Sequence, residues 1–281
     1  MKALFETAII IWMTCLKYVT ETLTVSPEDM FDGKVWDAIV VFHAALLPVA
    51  YSLLVIWFLI GLINSVSSLK ELKSLEHVFG MALKLCIAKV VVDQSLAIIL
   101  LISDVSIQIM SALGVSASGM TVPGVGGLDD AASTLLANAD AWTDLNNWII
   151  ICVLSILFLL ISIGTGIALV MIVVARFYRL YIYAALSPIP LASFACGDPQ
   201  YSGIGRQFLK SFMGVCMQAV VIYAAIALYG FFLTGLNTSF LDVFESGNAV
   251  VNYLVRAIFC EVLLLVIIKG SDQITKELGF A

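Results

Sequence analysis

Five long apolar stretches constrain this chain more than any other feature. They cover residues 38–63, 78–102, 148–175, 208–235 and 251–268. Each has about the 17–25 residues that a helix needs to cross a hydrocarbon core of about 30 Å, or slightly more. The composition agrees, because 62% of the residues are hydrophobic and 12% are charged, far from the balance of a soluble domain. The sequence therefore predicts an all-α, polytopic membrane protein with about five spans.

The amino end predicts a different kind of helix. Within residues 3–25, the uninterrupted apolar stretch covers only residues 8–16, which is too short to cross the membrane. Glu6 interrupts the start, and no small-residue cleavage site follows it, so a secretory signal is not expected. We interpret residues 1–37 as an extracytoplasmic amphipathic segment whose helix lies at the interface. A sixth, imperfect span is the alternative.

The charges in the connections predict the orientation. Residues 103–147 and 236–250 contain no Lys or Arg but several Asp and Glu. The other connections and the carboxyl end carry the basic residues, namely Lys70, Lys73, Arg176, Arg179, Arg206, Lys210, Lys269 and Lys276. Because cytoplasmic loops are enriched in Lys and Arg, we expect the amino end outside and the carboxyl end inside.

These spans and connections divide the chain into four regions. After residues 1–37, residues 38–102 form two spans joined by a basic cytoplasmic loop. Residues 103–147 form an acidic, Gly-rich extracytoplasmic loop, in which "VSIQIMSALG" predicts an interfacial helix ended by Gly114. At about 45 residues this loop is longer than a connection requires, so we interpret it as a docking or gating element, with a plain connection as the alternative. Residues 148–281 form the core membrane region.

A proline-broken segment, "YIYAALSPIPLASF", lies within that core region. Basic residues flank it on both sides, so both flanks are predicted to be cytoplasmic and the segment cannot cross once. Pro188 and Pro190 lack backbone donors and break a helix, and Ser187 suits a turn. We predict a re-entrant or inner-surface elbow, with a surface helix and an irregular loop as the alternative. Its residues of interest are Arg176, Arg179, Ser187, Pro188, Pro190, Arg206 and Lys210.

Charged and polar residues inside the spans are the other candidate functional residues. They are Lys84, Lys89, Asp93, Gln218, Arg256 and Glu261. A charge at mid-membrane costs on the order of 2.5–3.5 kcal/mol, so each should face protein or water. Lys89 and Asp93 are four residues apart and can pair on one helix face. Glu261 is predicted to approach Lys89 or Lys84, within or between subunits.

One motif predicts close helix packing, and several motifs are absent. Gly164 and Ala168 form a small-xxx-small pair of the kind that lets helices approach. The sequence has no Walker loop and no H-E-x-x-H motif, so we expect neither an enzyme nor a cofactor. The six cysteines have no C-x-x-C spacing, and no metal site is predicted. The net charge of −6 argues against a nucleic-acid surface.

A family resemblance rests on the elbow and its neighbours. From residue 148 to residue 229, a long span, the "ALSPIPLA" turn, the loop containing "GRQFLKSF" and an apolar span with Gln218 follow one another. This order resembles the TrbL-type polytopic membrane subunit of type IV secretion and conjugal transfer systems. The short tail after Lys269 departs from longer members, which leaves any function of such a tail in doubt.

The resemblance implies a non-enzymatic channel or scaffold subunit in the bacterial cytoplasmic membrane. Its implied partners are other type IV secretion membrane subunits, cytoplasmic ATPases and membrane lipids. It also implies a homo-oligomer, such as a pentameric ring, and only transient contact, if any, with the transferred nucleic acid or protein. Two alternatives stay open: a small-solute transporter or ion channel that uses Lys89, Asp93 and Glu261, and a membrane protein of phage or pilus assembly.

Overall fold

The described part of the chain is helical. The computed structural model describes residues 2–67, 75–118, 145–196, 199–235 and 249–279. Its α-helices are α1 (Lys2–Thr24), α2 (Lys34–Ser67), α3 (Leu75–Asp93), α4 (Ser95–Ser118), α5 (Leu145–Leu186), α6 (Pro188–Leu191), α7 (Pro199–Gly235) and α8 (Ala249–Glu277). Two 3₁₀ segments, Met30–Gly33 and Ala192–Cys196, complete the order. These ranges hold no strand, which confirms the predicted all-α class.

The chain divides into two compact units. The first contains Met1–Thr24, Ile107–Ala175 and Gln218–Ile274. The second contains Val25–Ser106, Arg176–Met217 and Thr275–Ala281. Each unit therefore combines segments from distant parts of the sequence, and the elbow belongs to the second unit.

Four of the described helices are long and apolar enough to cross a membrane. The candidate spans are Met30–Asn64, Ser95–Gly114, Cys152–Leu186 and Gly203–Tyr229. All four overlap predicted spans, although Ser95–Gly114 shares only residues 95–102 with the predicted second span. The fifth predicted span, residues 251–268, starts among residues whose side chains the structure does not describe, and it stays a prediction. A polytopic membrane protein is thus supported, with a span count of four or more.

The predicted second span, residues 78–102, is wrong as one continuous helix, and its membrane placement stays a prediction. The helix is interrupted at Gln94, so α3 and α4 are separate. The candidate span begins at Ser95, after the polar Asp93 and Gln94, and extends to Gly114. Its predecessor α3 carries Lys84, Lys89 and Asp93, which lowers its suitability for crossing.

The predicted helix end at Gly114 is also wrong, because α4 continues to Ser118. Gly114 serves close packing in the first unit: a Cβ at this position would lie 2.6 Å from the Tyr223 hydroxyl oxygen. Residues 119–144 of the predicted outer loop lie outside the described residues.

The amino-terminal helix α1 packs on protein. Its buried stripe follows the spacing of a helix face and comprises Ala8, Ile9, Trp12, Leu16, Val19 and Leu23. Trp12 Nε1 donates a hydrogen bond to the Tyr229 hydroxyl at 3.2 Å, and a Cβ at Gly166 would lie 2.9 Å from Cys15 Sγ. The amphipathic character is as predicted, but the apolar stripe is covered by the first unit rather than by lipid.

Candidate functional site

The elbow is a pair of tight helical turns. Helix α5 ends at Leu186, and Pro188 begins the short helix α6, where a missing backbone N–H is tolerated. Ser187 stabilises the turn by donating its hydroxyl to the Ala184 carbonyl at 2.9 Å. Pro188 therefore follows the end of the long helix as predicted, and Pro190 lies within α6. However, the chain after them is regular, because the 3₁₀ segment Ala192–Cys196 follows directly.

One serine joins the elbow to the next helix. The Ser193 hydroxyl donates to the Pro190 carbonyl at 2.8 Å and accepts the Gly205 backbone N–H at 3.0 Å. Gly205 also has no room for a side chain, since a Cβ there would lie 2.9 Å from the Phe194 ring. Ser193 thus satisfies two backbone polar groups within the protein, as a segment at membrane depth requires.

The elbow is buried in the second unit. Ser187, Leu191 and Ala192 are fully buried, and the surrounding core is formed by α2 and α3 residues Ala50, Leu54, Ala88 and Val92. At Gly61, a Cβ would overlap the Cys196 carbonyl oxygen. The irregular loop of the alternative is therefore not found at residues 187–196, which form regular helical turns. The membrane depth of the elbow stays a prediction.

The basic flanks of the elbow differ in burial. Arg179, Arg206 and Lys210 are exposed, as expected for residues at a membrane surface. Arg176 is instead 4% exposed. Its Nε donates to the Val215 carbonyl at 3.0 Å, and its guanidinium lies 5.3 Å from the centre of the Phe177 ring. Its Nη1 has no hydrogen-bond partner in the described part of the chain. Arg176 is thus a buried structural charge rather than part of an exposed basic surface.

A contact near the elbow bears on the orientation. The Tyr181 hydroxyl donates to the Pro27 carbonyl at 3.1 Å, and the Tyr181 and Trp36 rings are 6.5 Å apart. The charge count places residues 1–37 outside and the elbow inside. Two residues in contact lie at the same depth in a membrane. The contact of Tyr181 with Pro27 therefore counts against placing residues 1–37 outside and the elbow inside.

Glu261 is the most deeply buried of the predicted intramembrane charges. It is 1% exposed, and the Ser162 hydroxyl lies 2.9 Å from Oε1 and 3.0 Å from Oε2. The serine belongs to α5 and the glutamate to α8, so this hydrogen bond joins two helices of the first unit. Lys84 and Lys89 belong to the second unit, and their pairing with Glu261 stays a prediction. Arg256 is half-buried on α8.

The predicted pair of Lys89 with Asp93 is replaced by another contact. Lys84, Lys89 and Asp93 are all exposed on α3. Asp93 Oδ1 accepts a hydrogen bond from the Tyr51 hydroxyl at 2.6 Å. Lys89 and Asp93 form no salt bridge with each other in the described part of the chain, so their helical spacing was not sufficient to pair them.

Gln218 and the glycine motif show further differences. Gln218 Nε2 donates to the Ser271 hydroxyl at 3.1 Å, while its Oε1 has no partner among the described residues. A Cβ at Gly164 would have no atom within 4 Å, and Ala168 is half-buried. The close helix approach on α5 is at Gly166, against Cys15. A packing role for Gly164 and Ala168 outside the chain stays a prediction.

Ser162, Ser193 and Gly61 were not predicted as functional or structural positions from the sequence. Each acts on a residue that is distant in sequence: Ser162 on Glu261, Ser193 on Gly205 and Gly61 on Cys196. The unpaired Glu261 was a signal that a polar residue on another helix must face it. No comparable signal distinguishes Ser193 or Gly61 from other small residues of this chain.

The described residues thus form an all-helical protein with four candidate membrane spans and a buried proline elbow. A family model described as TrbL/VirB6 plasmid conjugal transfer like protein matches residues 13–188. The chain belongs to this family, since the match covers more than half of it. The match begins earlier than the resemblance seen in the sequence and ends at Pro188. No curated protein and no solved structure matches the chain.

Proposed function

We propose that the chain is a non-enzymatic channel or scaffold subunit of a type IV secretion machine, acting in conjugative transfer of DNA or protein. The observation that carries this proposal is the family match over residues 13–188. That range includes the candidate spans from Met30 to Leu186. The proposal places the subunit in the bacterial cytoplasmic membrane, beside the other membrane components of the machine.

The proposed partners are cytoplasmic ATPases and further copies of this chain, in a ring such as a pentamer. The burial of Ser187, Pro188 and Leu191 means that these three residues cannot themselves touch a motor protein. Arg206 and Lys210 are exposed near the start of α7 and can reach one. We therefore assign the proposed ATPase contact to these basic side chains, with the buried elbow as their support.

The orientation is proposed on the charge count, with the carboxyl end inside and the amino end outside. The test is labelling with a membrane-impermeant maleimide in intact cells, after the exposed native Cys86 is replaced. Lys276→Cys should be protected and Lys34→Cys should react, since both positions are exposed in the protein. A protected Lys34→Cys would show that the Tyr181 contact, rather than the charge count, reports the side of the amino end.

The first test of function is transfer of the native mobile element after in-frame deletion. Transfer should be lost, and the wild-type chain supplied in trans should restore it. An Arg206→Gln, Lys210→Gln double variant should accumulate normally in the membrane, because both side chains are exposed, yet restore less transfer. A matched control is Lys17→Gln, an exposed basic residue on α1.

Unchanged transfer in the deletion strain would overturn the proposal for that element. The competing function is solute or ion transport through Lys89, Asp93 and Glu261. Asp93 and Glu261 are engaged by Tyr51 and Ser162, which gives a relay no support. Purified protein that concentrates a solute in liposomes by itself would favour this competitor.

A further inference from the structure

An open groove lies beside the elbow in the second unit. Its volume is about 470 Å³, within the range of about 300–1,000 Å³ usual for ligand pockets. Its walls come from three consecutive segments, namely α5 residues Arg179, Ile182, Tyr183 and Leu186, elbow residues Ile189 and Pro190, and α7 residue Phe208. The Tyr183 and Phe208 rings pack 5.5 Å apart and give the groove a firm apolar wall.

The groove lies at the ends of two candidate spans. Cys152–Leu186 has 35 residues and is about 52 Å long as a helix, whereas the hydrocarbon core is about 30 Å thick. Arg179 and Leu186 belong to its last two turns. Phe208 lies near the beginning of the next candidate span, Gly203–Tyr229. The groove is therefore expected near the boundary between the acyl chains and the headgroups of the membrane.

The charge around the groove selects the occupant. Arg179 is the charged lining residue and is exposed. Residues 145–235 contain Arg176, Arg179, Arg206 and Lys210, but their single acidic residue is Asp198. An arginine has five N–H donors, so Arg179 can hold a phosphate in addition to its contacts within the chain. An apolar helix of another copy would instead bury this guanidinium against apolar surface, which is costly.

We propose that this groove binds an anionic phospholipid, with the phosphate on Arg179 and an acyl chain along the Ile182, Leu186 and Phe208 wall. Basic pockets between membrane helices commonly hold anionic headgroups. Lipid binding is tested independently of the proposed transfer function, because it is measured on the purified chain and needs no secretion machine.

The test uses the full chain, purified and delipidated in a neutral detergent. Binding of fluorescent phosphatidylglycerol is compared with binding of phosphatidylcholine carrying the same label. Wild type should prefer phosphatidylglycerol, and Arg179→Gln should lower that affinity roughly fivefold while leaving phosphatidylcholine unchanged. Arg206→Gln is the matched control, because Arg206 is exposed but does not line the groove. It should bind as wild type does.

A second variant tests the apolar wall. Leu186 is 44% exposed, so Leu186→Trp should fold, fill the groove and lower binding of both lipids. Equal losses in Arg179→Gln and Arg206→Gln would overturn the proposal in favour of general surface charge. Unchanged binding in Leu186→Trp would overturn the assigned groove. A disulfide between two Leu186→Cys chains in membranes, together with no bound lipid, would assign the groove to a second copy. In the wild-type binding assay, competition by cardiolipin shows which anionic lipid the groove prefers.

Discussion

The elbow of the second unit and the Glu261 site of the first unit differ in how their buried polar groups are satisfied. Both place polar groups in apolar surroundings. The elbow satisfies its backbone through tight turns and close neighbours, so Gly61 and Gly205 leave no room for a side chain. Among the described residues, Glu261 is held by one hydroxyl, that of Ser162. We therefore expect the elbow to be sensitive to added volume and the Glu261 site to be sensitive to lost hydrogen bonding.

The largest effect is expected at the elbow. In Gly61→Ala the new methyl group would overlap the Cys196 carbonyl oxygen, and a backbone atom cannot move as cheaply as a flexible side chain. The variant should lose about 3 kcal/mol of stability, measured as a lower apparent Tm in detergent. Gly80→Ala is the matched control, since a Cβ at Gly80 has no atom within 4 Å. It should gain up to about 1 kcal/mol, because alanine is the better helix former. Equal behaviour of the two variants would show that volume is not limiting.

An intermediate effect is expected at Ser162. Ser162→Ala removes the hydroxyl that lies against both Glu261 oxygens, and leaving a buried polar group without its partner costs about 1–3 kcal/mol. The apparent Tm should fall accordingly. In a Glu261→Met background, which has no acceptor for the serine hydroxyl, the same change should cost less, and the difference between the two costs is the coupling energy. Additive losses would mean that the Ser162–Glu261 bond contributes nothing specific.

The smallest effect is expected at Arg176, the buried arginine that precedes the elbow. Arg176 is buried with Nη1 unpaired among the described residues, so an apolar replacement removes an unsatisfied donor along with the bond to Val215. Arg176→Met should therefore stay within about 1 kcal/mol of wild type, whereas Arg176→Lys, which keeps a buried charge and loses the bond from Nε, should be less stable. The order of their apparent Tm values checks this, and Arg176→Met as the weaker variant would contradict it.

Prediction from the sequence succeeded where one segment determines its own structure. Apolar length predicted most of the spans, and Pro188 correctly marked the end of α5. Prediction failed where contacts between segments that are distant in sequence determine the structure. Gln94 interrupts an apolar run that reads as one span, and the stripe of α1 is covered by Tyr229 and its neighbours. The pairing of Asp93 with Tyr51 also depends on how α2 meets α3, which helical spacing within α3 does not encode.

The contact of Gly61 with Cys196 has a consequence for biosynthesis. The two residues are 135 positions apart in the chain. At a synthesis rate of about 5–20 residues per second, roughly 7–27 seconds pass between them. During that interval the surface of α2 that the elbow later covers has no elbow to bind. Helix α2 must therefore enter the membrane with this face against lipid or the insertion machinery, and the elbow displaces that cover when it is made.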